Sequence, residues 1–129
     1  MQVGACVPAG RIQTQDFLDL ADVADKYSAG EVRITCEENV IFPNVRNEDI
    51  AAMEQEAIFK RFEIHPGNVM RGLVSCTGSQ FCGFGLVETK NRCVKLLRAC
   101  LRSESDVSGQ LPAVLFVDTM APSGKAGEY

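Results

Sequence analysis

The sequence predicts an α+β fold, because helical and strand-like periodicities alternate along a chain of 129 residues. Apolar residues make up 46% of the chain, which is enough to form a buried core. A helical pattern precedes two strand-like runs, and a cysteine-containing loop leads into a further helical pattern. The length corresponds to about one domain.

The first elements are an opening strand and an amphipathic helix. Residues 2–13 predict the strand, which ends near Gly10. Thr14 is a candidate N-cap for the helix, Asp16 suits its first turn, and Gly30 is a natural stop. The predicted apolar face comprises Phe17, Leu20, Ala21 and Ala24, and the aspartates expected to face solvent are Asp16, Asp19, Asp22 and Asp25.

Two strands and two helices follow. Residues 31–36 alternate between apolar and polar side chains, which predicts a half-buried strand, and residues 40–42 form a second apolar run. Asn47 is a candidate N-cap for the second helix. The third helix is expected to run from Cys82 to about Leu101. The predicted buried stripe of the second helix comprises Ile50, Met53 and Ala57.

Composition argues against several classes of protein. The net charge of −4 gives no basic field of the kind that nucleic acid attracts. No apolar run approaches the roughly 20 residues that span a bilayer. The first residues lack the basic and apolar regions of a secretory signal and the Arg/Ser-rich character of a transit peptide. The six irregularly spaced cysteines are therefore expected to be reduced, in an intracellular compartment.

Cys76 and Cys82 flank five residues, Thr-Gly-Ser-Gln-Phe, in a glycine-containing loop. Such a pair can bind an iron–sulfur cluster, and because a cluster takes four thiolates, this loop would supply half of them. If Cys82 begins a helix, the helix N-terminus would stabilise its thiolate. A buried thiol pair and a redox disulfide remain alternatives. Gly83 and Gly85 are expected to leave room for a cofactor, and Gly78 to let the loop turn tightly. The residues expected to donate hydrogen bonds there are Thr77, Ser79 and Gln80.

Three stretches resemble one known family. The segment Ser75–Gly83 (SCTGSQFCG), followed by Val87–Lys90 (VETK), resembles the cluster loop of ferredoxin–nitrite reductases, which belong to the sirohaem-containing nitrite and sulfite reductase family. Val7–Gln13 resembles the opening strand of the family's second ferredoxin-like half domain, and residues 31–44 resemble its strand pair beside sirohaem. The resemblance covers about residues 3–95 in the family's order.

The resemblance implies a division of the chain. Residues 1–68 would form a ferredoxin-like βαβ half domain, and residues 69–102 a partial sirohaem/[4Fe–4S]-binding domain with the cysteine loop and a helix. Residues 103–129 do not align with the family and are expected to form a flexible tail.

The resemblance also implies an activity. Family members reduce nitrite to ammonia in nitrate assimilation, or sulfite to sulfide, with electrons from reduced ferredoxin that pass through a [4Fe–4S] cluster to sirohaem. Cys76 and Cys82 would be two of the four cluster ligands. An arginine fork suits the carboxylates of sirohaem. The residues that would lie near the cofactors are Arg33, Asn39, Thr77, Gly78 and Gln80.

The departures from the family pattern limit that activity. The family's other two ligands come from a downstream loop, whereas this chain has no cysteine after Cys100. Cys93 lies eleven residues beyond Cys82, about 16 Å along a helix, so core packing is the expected role of Cys93 and Cys100. Glu38 replaces the family's usual glutamine and would add a negative charge near the cofactor.

We therefore interpret the chain as a truncated ferredoxin–nitrite reductase that is inactive alone. Its expected location is the plastid stroma or a bacterial cytoplasm, by resemblance. The alternatives are a fragment of an assimilatory sulfite reductase and a non-catalytic module that binds a cofactor or another protein. Lys90 and Lys95 are expected either to face solvent or to contact the cofactor or the ferredoxin.

Overall fold

The structure is a computed structural model that describes residues 1–103 and 115–117. Helices and short strands are mixed along the chain, which confirms the α+β prediction. The strands are β1 (Val3–Ala5), β2 (Arg33–Ile34), β3 (Val40–Phe42), β4 (Leu73–Ser75) and β5 (Leu115–Val117). The helices are α1 (Thr14–Tyr27), α2 (Ile50–Met53), α3 (Asn68–Arg71) and α4 (Lys90–Ser103), with 3₁₀ turns at Pro8–Gly10, Asn47–Asp49 and Ala57–Lys60.

Two separate sheets organise these strands. The first is antiparallel in the order β1-β3-β2, with Val3 opposite Phe42 and Arg33 opposite Ile41. The second pairs β4 with β5 in parallel, Ser75 lying opposite Val117. Strand β5 falls within the predicted tail, and the rest of that tail beyond residue 103 lies outside the described residues.

The prediction of a half-buried strand over residues 31–36 is wrong in part. Only Arg33 and Ile34 pair with β3, and both are exposed. Strand β2 is an edge strand of two residues, so nothing covers Ile34, which is 68% exposed. Val32, one residue earlier, packs partly against the core.

The main core forms between the three-stranded sheet, α1 and the segment after α2. Leu20 and Ala24 of α1 are buried as predicted, but Phe17 is 46% exposed and Ala21 is exposed. Val23, which was not predicted on the apolar face, is buried. The second predicted helix is shorter than expected, because a turn follows Met53 and leaves Ala57 exposed. The buried residues of this cluster are Val3, Ala5, Val7, Leu20, Val23, Ala24, Val40, Phe42, Val45, Met53, Ile58, Phe59 and Phe62.

Asp16 is buried, which corrects the expectation that it faces solvent. Its Oδ2 accepts a hydrogen bond of 3.0 Å from the backbone N–H of Gln13, so Gln13, rather than Thr14, caps α1 through a capping box. Its other oxygen, Oδ1, pairs with the guanidinium of Arg61. The ion pair satisfies a carboxylate that would otherwise be costly to bury.

A second, smaller apolar cluster joins residues from both sides of the predicted boundary at residue 68. Cys6 and Ala9 follow β1, whereas Cys93 and Leu97 lie on α4. The thiol of Cys6 also donates to the carbonyl of Met70 at 3.4 Å. This cluster packs α4 against the end of β1 and so places the cysteine loop beside the half domain. Its buried members are Cys6, Ala9, Met70, Leu73, Cys93 and Leu97.

Candidate functional site: the cysteine loop

The candidate site is the loop of residues 76–89 between β4 and α4. Helix α4 begins at Lys90, eight residues after Cys82, so the prediction that Cys82 lies at a helix N-terminus is wrong. The chain instead makes successive turns, in which Cys82 N–H donates to Gly78 O and Gly85 N–H donates to Cys82 O, each at 3.0 Å. The dipole of α4 therefore does not act directly on Cys82.

Two glycines are required by the packing of the loop. Gly78 has φ +76°, and a Cβ there would lie 2.6 Å from Thr89 Oγ1. A Cβ on Gly85 would lie 2.7 Å from Ser79 N. A Cβ on Gly83, in contrast, would have nothing within 4 Å, so of the two glycines expected to leave room for a cofactor only Gly83 faces open space.

Thr89 ties the end of the loop to Cys76. Its buried hydroxyl donates to Cys76 O at 2.7 Å and lies 3.5 Å from Cys76 Sγ. Because that hydroxyl hydrogen is used by the carbonyl, the thiol is the donor in the longer contact. Cys76 and Cys82 are both half-buried, and no disulfide joins the cysteines of the described residues.

The other described cysteines have different environments. Burial raises the pKa of Cys6 to about 11, and the carboxylate of Glu63 contributes to the shift. Burial also raises the pKa of Cys93, which is fully buried, as its predicted packing role requires. Both therefore remain thiols at neutral pH. Cys36 is exposed. In the described part of the chain, no three histidine, cysteine or acidic side chains converge on a possible metal position.

The exposed Gln80 makes a contact that the sequence did not suggest. Its Oε1 accepts a hydrogen bond of 2.8 Å from Nη2 of Arg11, and the same guanidinium donates to Asn91 Oδ1. Arg11 thus bridges the cysteine loop and the first turn of α4. Through this contact Gln80 anchors the loop to the half domain. Thr77, on the same loop, is exposed.

Arg33 and Asn39 have distinct surroundings. Arg33 is exposed and its Nε lies 2.6 Å from Oε1 of Glu31. Asn39 Oδ1 accepts from the backbone N–H of Val7 at 3.0 Å, which ties the turn before β3 to the end of β1. Asn39 also lines a groove of about 320 Å³ on the sheet, together with Thr35. Arg33 does not line this groove.

Lys90 and Glu38 form a partly buried ion pair that the sequence did not indicate. The Lys90 side chain is only 11% exposed, and its Nζ lies 2.7 Å from Glu38 Oε1. It also donates to Ala9 O at 2.7 Å and Ser75 O at 2.9 Å. Lys90 is therefore neither on a solvated helix face nor available to a cofactor. The charge of Glu38, expected near the cofactor, is paired with Lys90.

The first comparison with known proteins concerns the half domain. Residues 2–59 match the family model described as the nitrite/sulfite reductase ferredoxin-like half domain. Residues 2–59 thus belong to the family of nitrite/sulfite reductase ferredoxin-like half domains. The match contains strands β1 to β3 and helices α1 and α2.

Relatives of this reductase family extend the match across the cysteine loop. The chain is 50% identical over 95 residues to the chloroplastic ferredoxin–nitrite reductase of Arabidopsis thaliana, covering 73% of the chain and 16% of that protein. It is 47% identical over 90 residues to the Oryza sativa chloroplastic enzyme, covering 70% and 15%. The Synechococcus elongatus ferredoxin–nitrite reductase is 43% identical over 105 residues, covering 81% and 20%. The chain therefore spans about a fifth or less of these relatives.

The fold also resembles a solved structure. The NirA protein of Mycobacterium tuberculosis superposes with a TM-score of 0.80 at 20% sequence identity. The superposition covers 92% of this chain and 22% of NirA. At this identity the likeness concerns the fold alone. In the described part of the chain, no helix has both the length and the apolar character needed to cross a bilayer.

Proposed function

We propose that the chain is a portion of a ferredoxin-dependent nitrite reductase, which reduces nitrite to ammonia with six electrons. Its role would be to supply Cys76 and Cys82 as two ligands of a [4Fe–4S] cluster next to sirohaem. The observation that supports this is the placement of both half-buried thiols on one anchored loop, in a chain whose relatives are named ferredoxin–nitrite reductases. Reduced ferredoxin would be the electron donor.

The donor set fits half of such a cluster. Thiolates are the ligands that iron–sulfur clusters take, and four are needed. The raised pKa of Cys6 and Cys93 makes these two buried residues poor ligands. Two further thiolates would then be needed beside Cys76 and Cys82. We infer that the isolated chain does not reduce nitrite.

When bound, the cluster would supply one-electron transfer to sirohaem. The residues of this chain would hold and orient it. The turn at Gly78 brings Cys82 back toward β4, and Thr89 holds the carbonyl of Cys76. Thr77 and Gln80 lie on the same loop and would flank the cofactors. The exposed guanidinium of Arg33 and the side-chain amide of Asn39 remain candidates for contacts with sirohaem carboxylates.

A chimera would test the proposed function. The 95 aligned residues would replace their counterparts in the Arabidopsis thaliana reductase, and nitrite reduction by reduced ferredoxin would be measured with iron content and visible absorption. We expect an active chimera. Cys76→Ser and Cys82→Ser should each lower activity by more than about a hundredfold, because loss of a ligand exceeds the effect of losing its supporting contacts.

Cys36→Ser is the matched control, because Cys36 is an exposed cysteine outside the loop. Its activity and iron content should equal those of the parent chimera. A folded chimera that lacks the cluster would contradict the proposal, as would equal losses in all three serine variants.

A second candidate function, a non-catalytic interaction module, is favoured by one observation. Phe81, Phe84 and Leu86 of the cysteine loop are 71%, 90% and 69% exposed. Adjacent exposed apolar side chains mark interaction surfaces. We propose that a longer reductase polypeptide covers this face, because the chain spans only 15–20% of its relatives' length.

Binding of the chain to the full-length Arabidopsis thaliana reductase would test this module. Phe84→Ser should weaken the measured affinity by at least about tenfold, because an exposed aromatic anchor is lost. Leu18→Ser is the control, since Leu18 is 56% exposed on α1, away from the loop. Equal effects of both substitutions, or the absence of binding by the parent chain, would reject the module.

A further inference from the structure

The buried Lys90 and the partly buried Glu38 both bind the backbone of Ser75, the residue before Cys76. We propose that this pair acts as a positioning lock, which fixes the direction of Cys76 relative to the half domain before any cofactor binds. The inference deepens the proposed function and rests on it, because the position of Cys76 matters only if its sulfur is a ligand. In the proposed role both residues act through the backbone that precedes Cys76.

All three ammonium hydrogens of Lys90 take part in hydrogen bonds. Its Nζ donates to Ala9 O, Ser75 O and Glu38 Oε1 at 2.7, 2.9 and 2.7 Å, which accounts for all three of its hydrogens. These acceptors come from the turn after β1, the end of β4 and the turn before β3. One side chain on α4 therefore joins three segments that are far apart in sequence.

The lock also holds the backbone of Ser75, the residue before Cys76. Glu38 Oε2 accepts from the N–H of Ser75 at 3.2 Å, while Lys90 donates to the carbonyl of the same residue. That carbonyl belongs to the peptide group that carries the N–H of Cys76. Thr89, adjacent to Lys90, donates to the carbonyl of Cys76. Two consecutive residues thus fix the peptide groups before and after the Cys76 Cα.

The backbone conformations of Glu38 and Gly10 in the half domain bring the Glu38 carboxylate to Lys90. Glu38 adopts φ +62°, a left-handed conformation that glutamate rarely takes. Gly10 has φ +60°, and a Cβ there would lie 2.5 Å from Glu38 Cβ. The turn before β3 is therefore strained to bring the carboxylate to Lys90, and only glycine at position 10 leaves the space.

Stability alone does not account for the pair. A lysine in the first turn of a helix is opposed by the helix dipole. Burying Lys90 and part of Glu38 removes much of their hydration, and ion pairs withdrawn from water often stabilise a fold no more than apolar residues of similar volume. A fixed direction for Cys76 is a role that apolar side chains could not provide, because they cannot hold both the N–H and the carbonyl of Ser75.

Site-resolved alkylation of the metal-free full chain would test the lock. Iodoacetamide modification of each cysteine would be followed by mass spectrometry in Lys90→Met and Glu38→Gln. We expect Cys76 to react about fivefold faster or more in both variants, because local opening frees its sulfur from Thr89. The rates of Cys82 and Cys6 should not change. Cys93 is not used as a reference, because its thiol is hydrogen-bonded to the Ser75 side chain. Glu38→Gln keeps the shape of the side chain, so its Cys76 alkylation rate decides the test if Lys90→Met does not fold.

Two controls separate the lock from general destabilisation. Lys95→Met removes an exposed lysine from the same helix and should leave every rate unchanged. The Cys76 alkylation rate of the double variant Glu38→Gln/Lys90→Met should equal that of the faster single variant, because both substitutions break the same ion pair. Equal acceleration of all described cysteines, or unchanged Cys76 rates in both single variants, would overturn the lock.

The readout is independent of the cluster. Selective acceleration of Cys76 in a chain whose chimera binds no cluster would support the lock and reject the cluster assignment. Unchanged Cys76 rates alongside an active chimera would reject the lock and leave the cluster assignment standing.

Discussion

Replacing Phe42 with alanine is expected to lower the free energy of unfolding by about 3 to 5 kcal/mol. Phe42 is fully buried on β3, the central strand of the three-stranded sheet. Its ring packs edge-to-face on Phe59, with centroids 5.8 Å apart and an interplanar angle of 81°. The substitution removes that contact and leaves a cavity, because the surrounding core relaxes only partly around a truncated side chain. Urea denaturation followed by circular dichroism would measure the loss.

Phe84→Ala is the matched control for Phe42→Ala. Phe84 is 90% exposed on the cysteine loop, so its truncation should change the free energy of unfolding by less than about 0.5 kcal/mol. Similar losses in the two variants would mean that the sheet does not form the centre of the core. Total stabilities of domains are about 5 to 15 kcal/mol, so the Phe42 variant should unfold at a much lower urea concentration.

Local periodicity predicted those elements whose buried face is set by nearby residues. Helix α1 follows its apolar spacing and buries Leu20 and Ala24, and β3 coincides with the apolar run at residues 40–42. The burial of Asp16 could not be predicted in this way, because its partner Arg61 lies 45 positions later. The exposure of Ile34 depends equally on tertiary context, since it follows from the edge position of β2.

The candidate site was predicted in part. The loop position of Cys76 and Cys82 followed from the glycines around them, but α4 begins eight residues later than its predicted start. In the structure Glu88 Oε1 accepts from the N–H of Asn91 at 2.9 Å, which satisfies one of the free N–H groups of the first turn of α4. The burial of Lys90 had no local signal, because its acceptors lie 15, 52 and 81 positions away.

Gly78→Ala is expected to disrupt the cysteine loop, with a loss of about 2 to 4 kcal/mol if the native turn is kept. The residue has φ +76°, where alanine is strained by about 1 to 2 kcal/mol. Its new Cβ would also lie 2.6 Å from Thr89 Oγ1 and 2.8 Å from Thr89 N. The second of these is a backbone atom, so the clash cannot be relieved by a side-chain rotation.

Relief of that clash must separate the turn at Gly78 from Thr89, and this predicts a specific chemical result. The hydrogen bond from Thr89 to Cys76 O would lengthen or break, so Cys76 should be alkylated faster and thermal denaturation should occur at a lower temperature. Gly83→Ala is the control, because nothing lies within 4 Å of its Cβ position. If both alanine variants matched the parent chain in alkylation rate and thermal midpoint, Gly78 would not be the residue that sets the path between the two thiols. If only Gly78→Ala loses the cluster in the chimera, the turn at Gly78 is what positions the two sulfur ligands.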